Sequence, residues 1–173
     1  MTTANRNLPN RTTVDILIRS MQFNRDRTLA TLDEIEKLPD PQAALAYRVG
    51  PGRAHIGWQL MHVGVTEEIF ATERLAPDKA PQWTELWPRF RGGSTPDDDV
   101  PTAAAIREVL LGARERLLAT LANYSDDRLD EIPPPLAARK LNFLNVLHIL
   151  AWHEAHHQGQ AHVTLNTFKQ LAK

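Results

Sequence analysis

Cysteine is absent from the 173 residues. That excludes disulfides, thiolate-bound zinc, iron–sulfur clusters and a protein thiol nucleophile, and leaves histidine and the carboxylates as the strong metal ligands. An excess of either charge is also lacking: 20 Lys+Arg stand against 21 Asp+Glu, a net charge of −1 with histidine neutral. Nucleic acid and anionic membranes select a basic field, so neither is an expected partner. No hydrophobic run reaches the roughly 18 residues of a membrane span. The opening MTTANRNLPNRTT holds no apolar leader segment, and a cytoplasmic protein is expected. Stretches of strict apolar/polar alternation, the mark of strands, are missing too.

What remains is helical. With 42% hydrophobic and 24% charged residues the composition is globular, and the length suits one domain over residues 1–173. A first helix is predicted from about Thr13 to Leu38, with Val14, Leu17, Ile18, Met21, Leu29, Leu32 and Ile35 spaced by three and four; Pro39 and Pro41 end it. A second follows the Gly50-Pro51-Gly52 break and runs towards Leu75. A third spans about Thr102 to Tyr124, and after Pro133-Pro134-Pro135 a fourth runs from Asn142, a plausible N-cap, to Leu171. Four long amphipathic helices predict an all-α four-helix bundle.

The connection from Pro77 to Pro101 holds five prolines, two glycines and the Asp97-Asp98-Asp99 run. Helix-to-helix loops are usually about 2–8 residues, so a connection of this length is expected to cross the bundle or cover a site. It also permits a topology other than up-down-up-down. The Asp run reads as solvated, as do Glu67, Glu68 and Glu73. Trp83, Trp87 and Phe90 are expected to pin the segment down, with Trp83 or Trp87 lining the entrance to a site.

The seven histidines carry the chemistry. His55 and His62 fall on the second helix, and His148, His153, His156, His157 and His162 on the fourth. At about 100° per residue with His153 at zero, Val146 and Thr164 lie near 20°, His157 near 40°, and Leu150 and Phe168 near 60°. His153 and His157 therefore sit on the apolar stripe, one turn apart, where two imidazoles can hold one ion. Leaving both unpartnered inside would cost roughly 1–3 kcal/mol each. His62, flanked on its face by Trp58, Val65, Thr66 and Ile69, is a third core-facing imidazole, and three histidines leave coordination positions open, as in catalytic sites. His148, His156 and His162 read as surface or interface residues, His55 as lying near the helix start and the rim of the site. Gln160, one turn beyond His157, is a candidate hydrogen-bond partner for a ligand ring.

The stretch His55-Ile56-Gly57-Trp58-Gln59-Leu60-Met61-His62, followed by Ala151-Trp152-His153-Glu154-Ala155-His156-His157-Gln158-Gly159-Gln160, resembles the DinB-like (DinB/YfiT) superfamily. The resemblance implies a four-helix bundle with a metal held by one histidine of the second helix and an H-x-x-x-H pair of the fourth. Here those are His62, His153 and His157. It implies one divalent transition metal, with zinc and nickel both compatible with three imidazoles plus water, and either of two activities on a small molecule: metal-dependent hydrolysis, or S-transfer from a low-molecular-weight thiol. It also implies a homodimer. Three other readings stay open. The histidines can serve a non-catalytic metal-binding or dimeric bundle. His153-Glu154-Ala155-His156-His157 matches the H-E-x-x-H of metalloproteases, though no strand is present to bind a peptide. Glu154-x-x-His157 matches one element of a di-iron site, but no second such element exists.

Overall fold

The computed structural model describes residues 11–171. Its helices are α1 (Thr13–Glu36), α2 (Pro41–Ala46), α3 (Ile56–Ile69), α4 (Trp87–Phe90), α5 (Ala103–Leu121) and α6 (Phe143–Leu171). No strand occurs among the described residues, so the fold is all-α. The helix starts follow from side chains that accept otherwise orphaned N–H groups. Thr12 accepts from Asp15, Thr102 from Ala105 and Asn142 from Asn145, at 3.0, 3.2 and 2.9 Å. His55 caps α3: its Nδ1 accepts the Trp58 N–H at 2.9 Å, and its ring is fully buried. It is thus a cap inside the fold and not, as expected, a residue at the rim of a site.

The four long helices form a closed ring in which α1 packs on α5 and α6, and α3 on the same two. Cross-helix contacts give the directions. Asn24 donates to the Ala151 carbonyl, and Lys169 pairs with Glu34, so α1 and α6 run parallel. Gly64 faces Val109, where an added Cβ would lie 2.9 Å away, and Thr120 donates to the Ala71 carbonyl, so α3 and α5 are parallel as well. The bundle is therefore not up-down-up-down. Two parallel neighbours cannot be joined by a short turn, which is why the connection between α3 and α5 is long. It carries the chain back along the bundle rather than across it.

That connection is pinned by a carboxylate. Glu68 is fully buried, and its oxygens accept the backbone N–H groups of Gln82 (2.5 Å) and Trp83 (3.2 Å) and the Trp87 indole N–H (3.1 Å). Glu68 is therefore not solvated, contrary to its expected reading. Trp83 is buried over Gly112, whose missing side chain makes room for the ring. Both tryptophans hold the segment to the bundle, and neither lines the cavity at the histidines. The Asp run is solvated as read, although Arg89 grips Asp97 with two bonds of 2.9 and 3.0 Å.

The core is in two parts. One gathers Leu32, Leu45, Met61, Ile106, Leu110 and Leu165, the other Met21, Ala71, Leu117, Phe143, Val146 and Leu150. Between them, one from each long helix, lie Arg25, Glu67, Arg114 and Glu154, all at most 5% exposed. Arg25 donates to Glu67 at 2.8 Å and to Glu154 at 2.7 Å, and Arg114 donates to the same two carboxylates. Glu67 is thus buried in a neutral ion quartet and is not on a solvated face. Burial works against the Arg114 charge, but its two carboxylate partners prevail and raise its pKa.

Candidate metal centre

His62 comes from the middle of α3, and His153 and His157 from adjacent turns of α6, which passes α3 in the opposite direction. The three rings form a near-equilateral triangle, with centroids 4.8, 4.6 and 4.6 Å apart. One nitrogen from each lies within 4.8 Å of the others. The sequence-predicted set is therefore brought together. His148 and His156 are exposed, and His162 lies outside the cluster.

The tautomers follow from the partners. His62 Nδ1 lies 2.5 Å from the Phe90 carbonyl oxygen, which can only accept, so Nδ1 carries the hydrogen and Nε2 presents a lone pair. His157 Nδ1 likewise bonds the Gln59 side-chain oxygen, leaving its own Nε2 free. His153 Nε2 stands 3.0 Å from His62 Nε2. Trp58 stacks on His62 at 4.6 Å and 13°, covering one face of the ring, and its own N–H is held by the Arg89 carbonyl at 2.9 Å. Burial lowers the pKa of His62. His153 and His157 are pushed down to about 3, first by burial and then by neighbouring histidines. His62 Nε2 and His157 Nε2 are bare, and the His153 Nε2 proton, shared with His62, is one that a bound cation displaces; three neutral imidazoles gathered this closely with no acidic partner are a donor set that fits a divalent transition metal.

Two sequence expectations fail around this cluster. Gln160 bonds His156 at 2.9 Å, its partner four residues back, and His157 Nδ1 donates instead to the side-chain oxygen of Gln59 on the facing helix. Glu154 of the H-E-x-x-H motif is not free to act as a base. Both its oxygens are taken by arginines at 1% exposure, which overturns the metalloprotease reading. It cannot serve a di-iron site either, for the same reason. The residues that the sequence did not mark are Gln59 and the backbone carbonyl of Phe90.

Two cavities adjoin the cluster. One of about 200 Å³ is walled by His62 and His153 together with Arg74, Arg91 and Arg139. A wider groove of about 860 Å³ runs past Trp58, Gln59 and His156, with Val49 and Val163 on its flanks.

An all-α bundle with a three-histidine cluster between two antiparallel helices defines a class of protein compatible with metal binding. The chain belongs to the DinB superfamily, whose family model matches residues 20–161 and so includes all three histidines. No curated protein and no solved structure matches the chain. No helix among the described residues is long and apolar enough to cross a membrane.

Proposed function

We propose that the chain binds one divalent transition metal, zinc or nickel, through His62, His153 and His157, and is a metal-dependent enzyme acting on a small molecule. The observation that carries this reading is the gathering of one nitrogen from each of three histidines within 4.8 Å of one another, two of the three lying at the wall of a cavity. The Phe90 carbonyl and Gln59 fix the ring orientations, and Trp58 shields His62 from water. When bound, the metal supplies Lewis acidity, lowering the pKa of a thiol or of water at its remaining position. No aspartate or glutamate lines the 200 Å³ cavity. Hydrolysis gains from a nearby general base, whereas S-transfer needs only the thiolate, so S-transfer from a low-molecular-weight thiol is the favoured activity. A homodimer belongs to the same reading: Ile16 and Phe23 of α1 and Trp152 and Val163 of α6 are all more than half exposed.

Elemental analysis tests the ligand set. His153→Ala and His157→Ala are expected to lose stoichiometric metal and His62→Ala most of it, while His148→Ala and His162→Ala keep it. Equal metal in wild type and His157→Ala removes the assignment. Incubating the metal-loaded protein with glutathione, bacillithiol or mycothiol plus an electrophile, and separately with esters and amides, distinguishes S-transfer from hydrolysis; inertness towards all of them favours a non-catalytic bundle. A monomer by light scattering at tens of micromolar (~10⁻⁵ M) removes the dimer.

A further inference from the structure

We propose that the small cavity beside His62 and His153 is a recognition site for the oxyanion group of an acidic small molecule, held by Arg74, Arg91 and Arg139. It rests on the reading above that the histidines are the reaction centre, and it names the class of molecule that reaches them. Three arginines line one 200 Å³ cavity that no aspartate or glutamate lines. Arg74 is paired with Glu73 at 2.8 Å, while Arg91 and Arg139 have no acidic partner among the described residues. Two positive charges thus stand uncompensated around a recess. Arginine on an open surface is solvated and needs no explanation, but three converging from separate segments are the arrangement that grips carboxylate or phosphate oxygens.

The segments that deliver them all depart from regular α-helix. Arg91 directly follows Phe90, whose carbonyl orients His62, so the residue that fixes the ring also sets the arginine at its side. Arg139 ends the 3₁₀ turn Pro134–Arg139, and Lys140 behind it takes the left-handed conformation at φ 53° that turns the chain into α6. Arg74 ends the π-helical turn Phe70–Arg74 that continues α3, in which the Leu75 N–H reaches the Phe70 carbonyl at 3.0 Å. An uninterrupted α-helix at about 100° per residue would set Arg74 roughly 120° around the axis from His62. Five wider steps of about 82° bring it back to roughly 30°. The π turn thus returns Arg74 to the stripe that begins with His62 and continues through Thr66, and helical side chains lean back towards the N-terminus, carrying its guanidinium towards the cavity.

A recess of about 200 Å³ has room for a small acid or a phosphate. One end of such a molecule lies on the arginines and the other on the side of the cavity walled by His62 and His153.

Isothermal titration of the metal-free protein at low ionic strength tests this with three probes: succinate, its neutral analogue succinamide, and inorganic phosphate. One saturable site for succinate or phosphate and none for succinamide is expected, and whichever anion binds more tightly identifies the oxyanion. Both arginines that lack acidic partners are exposed, so Arg91→Ala/Arg139→Ala is expected to stay folded and to weaken the anion at least tenfold. His157→Ala, which does not line the cavity, is expected to keep anion binding while losing metal. No saturable binding of either anion, equal affinity in the double variant, or loss of binding in His157→Ala overturns the proposal. Arginine-dependent anion binding in a protein that takes up no metal supports the cavity and removes the metal reading instead.

Discussion

Two polar clusters cross the interior of this bundle, and they are built on opposite principles. The quartet Arg25–Glu67–Arg114–Glu154 joins two cations to two anions in a buried, neutral ring. The trio His62–His153–His157 joins three copies of one group, none of which can neutralise another. In the quartet all four carboxylate oxygens are taken by arginine and only Arg114 Nη1 lacks a partner among the described residues, whereas the trio holds one internal contact, His153 to His62, and leaves the His157 Nε2 unmatched. The lesson is that burial of polar groups is not itself a sign of function. What separates a structural cluster from a binding one is whether the donors and acceptors present satisfy each other. Glu154 and His153 are neighbours in sequence yet belong to different clusters, because successive residues on a helix point about 100° apart.

The largest expected effect is on the closed cluster. Glu154→Gln keeps the shape but leaves Arg25 and Arg114 facing one carboxylate, and breaking a buried ion pair from one side costs about 3–5 kcal/mol. Urea denaturation is expected to show a loss of that order, while the protein that remains folded still binds metal stoichiometrically, since the Glu154 carboxylate bonds arginines and no histidine of the trio. A loss below about 1 kcal/mol breaks the contrast, because the quartet then behaves as a surface pair would.

Acid probes the open cluster next. His153 and His157 are held near a pKa of about 3, below the ordinary 6.5. Between those values the unfolded chain takes up protons that the folded chain refuses, so stability rises with pH across the window. The metal-free protein is therefore expected to hold full stability above pH ~6.5 and to lose it progressively towards pH ~3. His157→Gln removes one of the refused protons, and its Tm is expected to fall less steeply from pH 7 to pH 4 than that of wild type. Parallel slopes for the two proteins mean that the ring is not kept neutral by the fold.

The sequence makes one of these clusters visible and hides the other. His153 and His157 stand one turn apart on an apolar stripe, so helical spacing alone points them inward together. The helix starts at Thr102 and Asn142 are legible for a similar reason, since each cap is a local contact over three residues. The quartet draws one residue from each of four helices, and no short window contains two of its members. Its one trace is positional: Arg25 interrupts the stripe Met21, Thr28, Leu32 and Ile35, and Arg114 the stripe Leu110, Leu117 and Leu121, all of them buried. Glu67 and Glu68 leave no such trace. On α3, 12 of the 14 residues are buried, so the helix has no polar face from which an inward carboxylate would stand out. The parallel pairing of α3 with α5 was equally hidden, because a long connection is compatible with several directions of the next helix. Gln59 escaped because its partner lies across the interface, 98 residues away.

The smallest of these effects concerns that glutamine. The trio is oriented by neutral acceptors, the Phe90 carbonyl on His62 and the Gln59 amide oxygen on His157, where the quartet is held by full charges. Gln59→Leu preserves volume and removes only the acceptor. The His157 ring then keeps its place on α6 but loses what fixes its tautomer, so that Nε2 is no longer always the bare nitrogen. Loss of such a partner typically costs about 10–100-fold in metal affinity, while folding stability changes by only about 1 kcal/mol for one hydrogen bond at a half-buried site. Competition against a chromophoric chelator reads the affinity, and a urea titration of the same samples reads the stability. Gln160→Ala supplies the comparison: its bond goes to His156, outside the trio, and metal affinity is expected to stay within twofold of wild type. If Gln160→Ala weakens the metal as much as Gln59→Leu does, the orientation of His157 is set along α6 and not from the facing helix, and the tautomer argument for a lone pair at Nε2 fails with it.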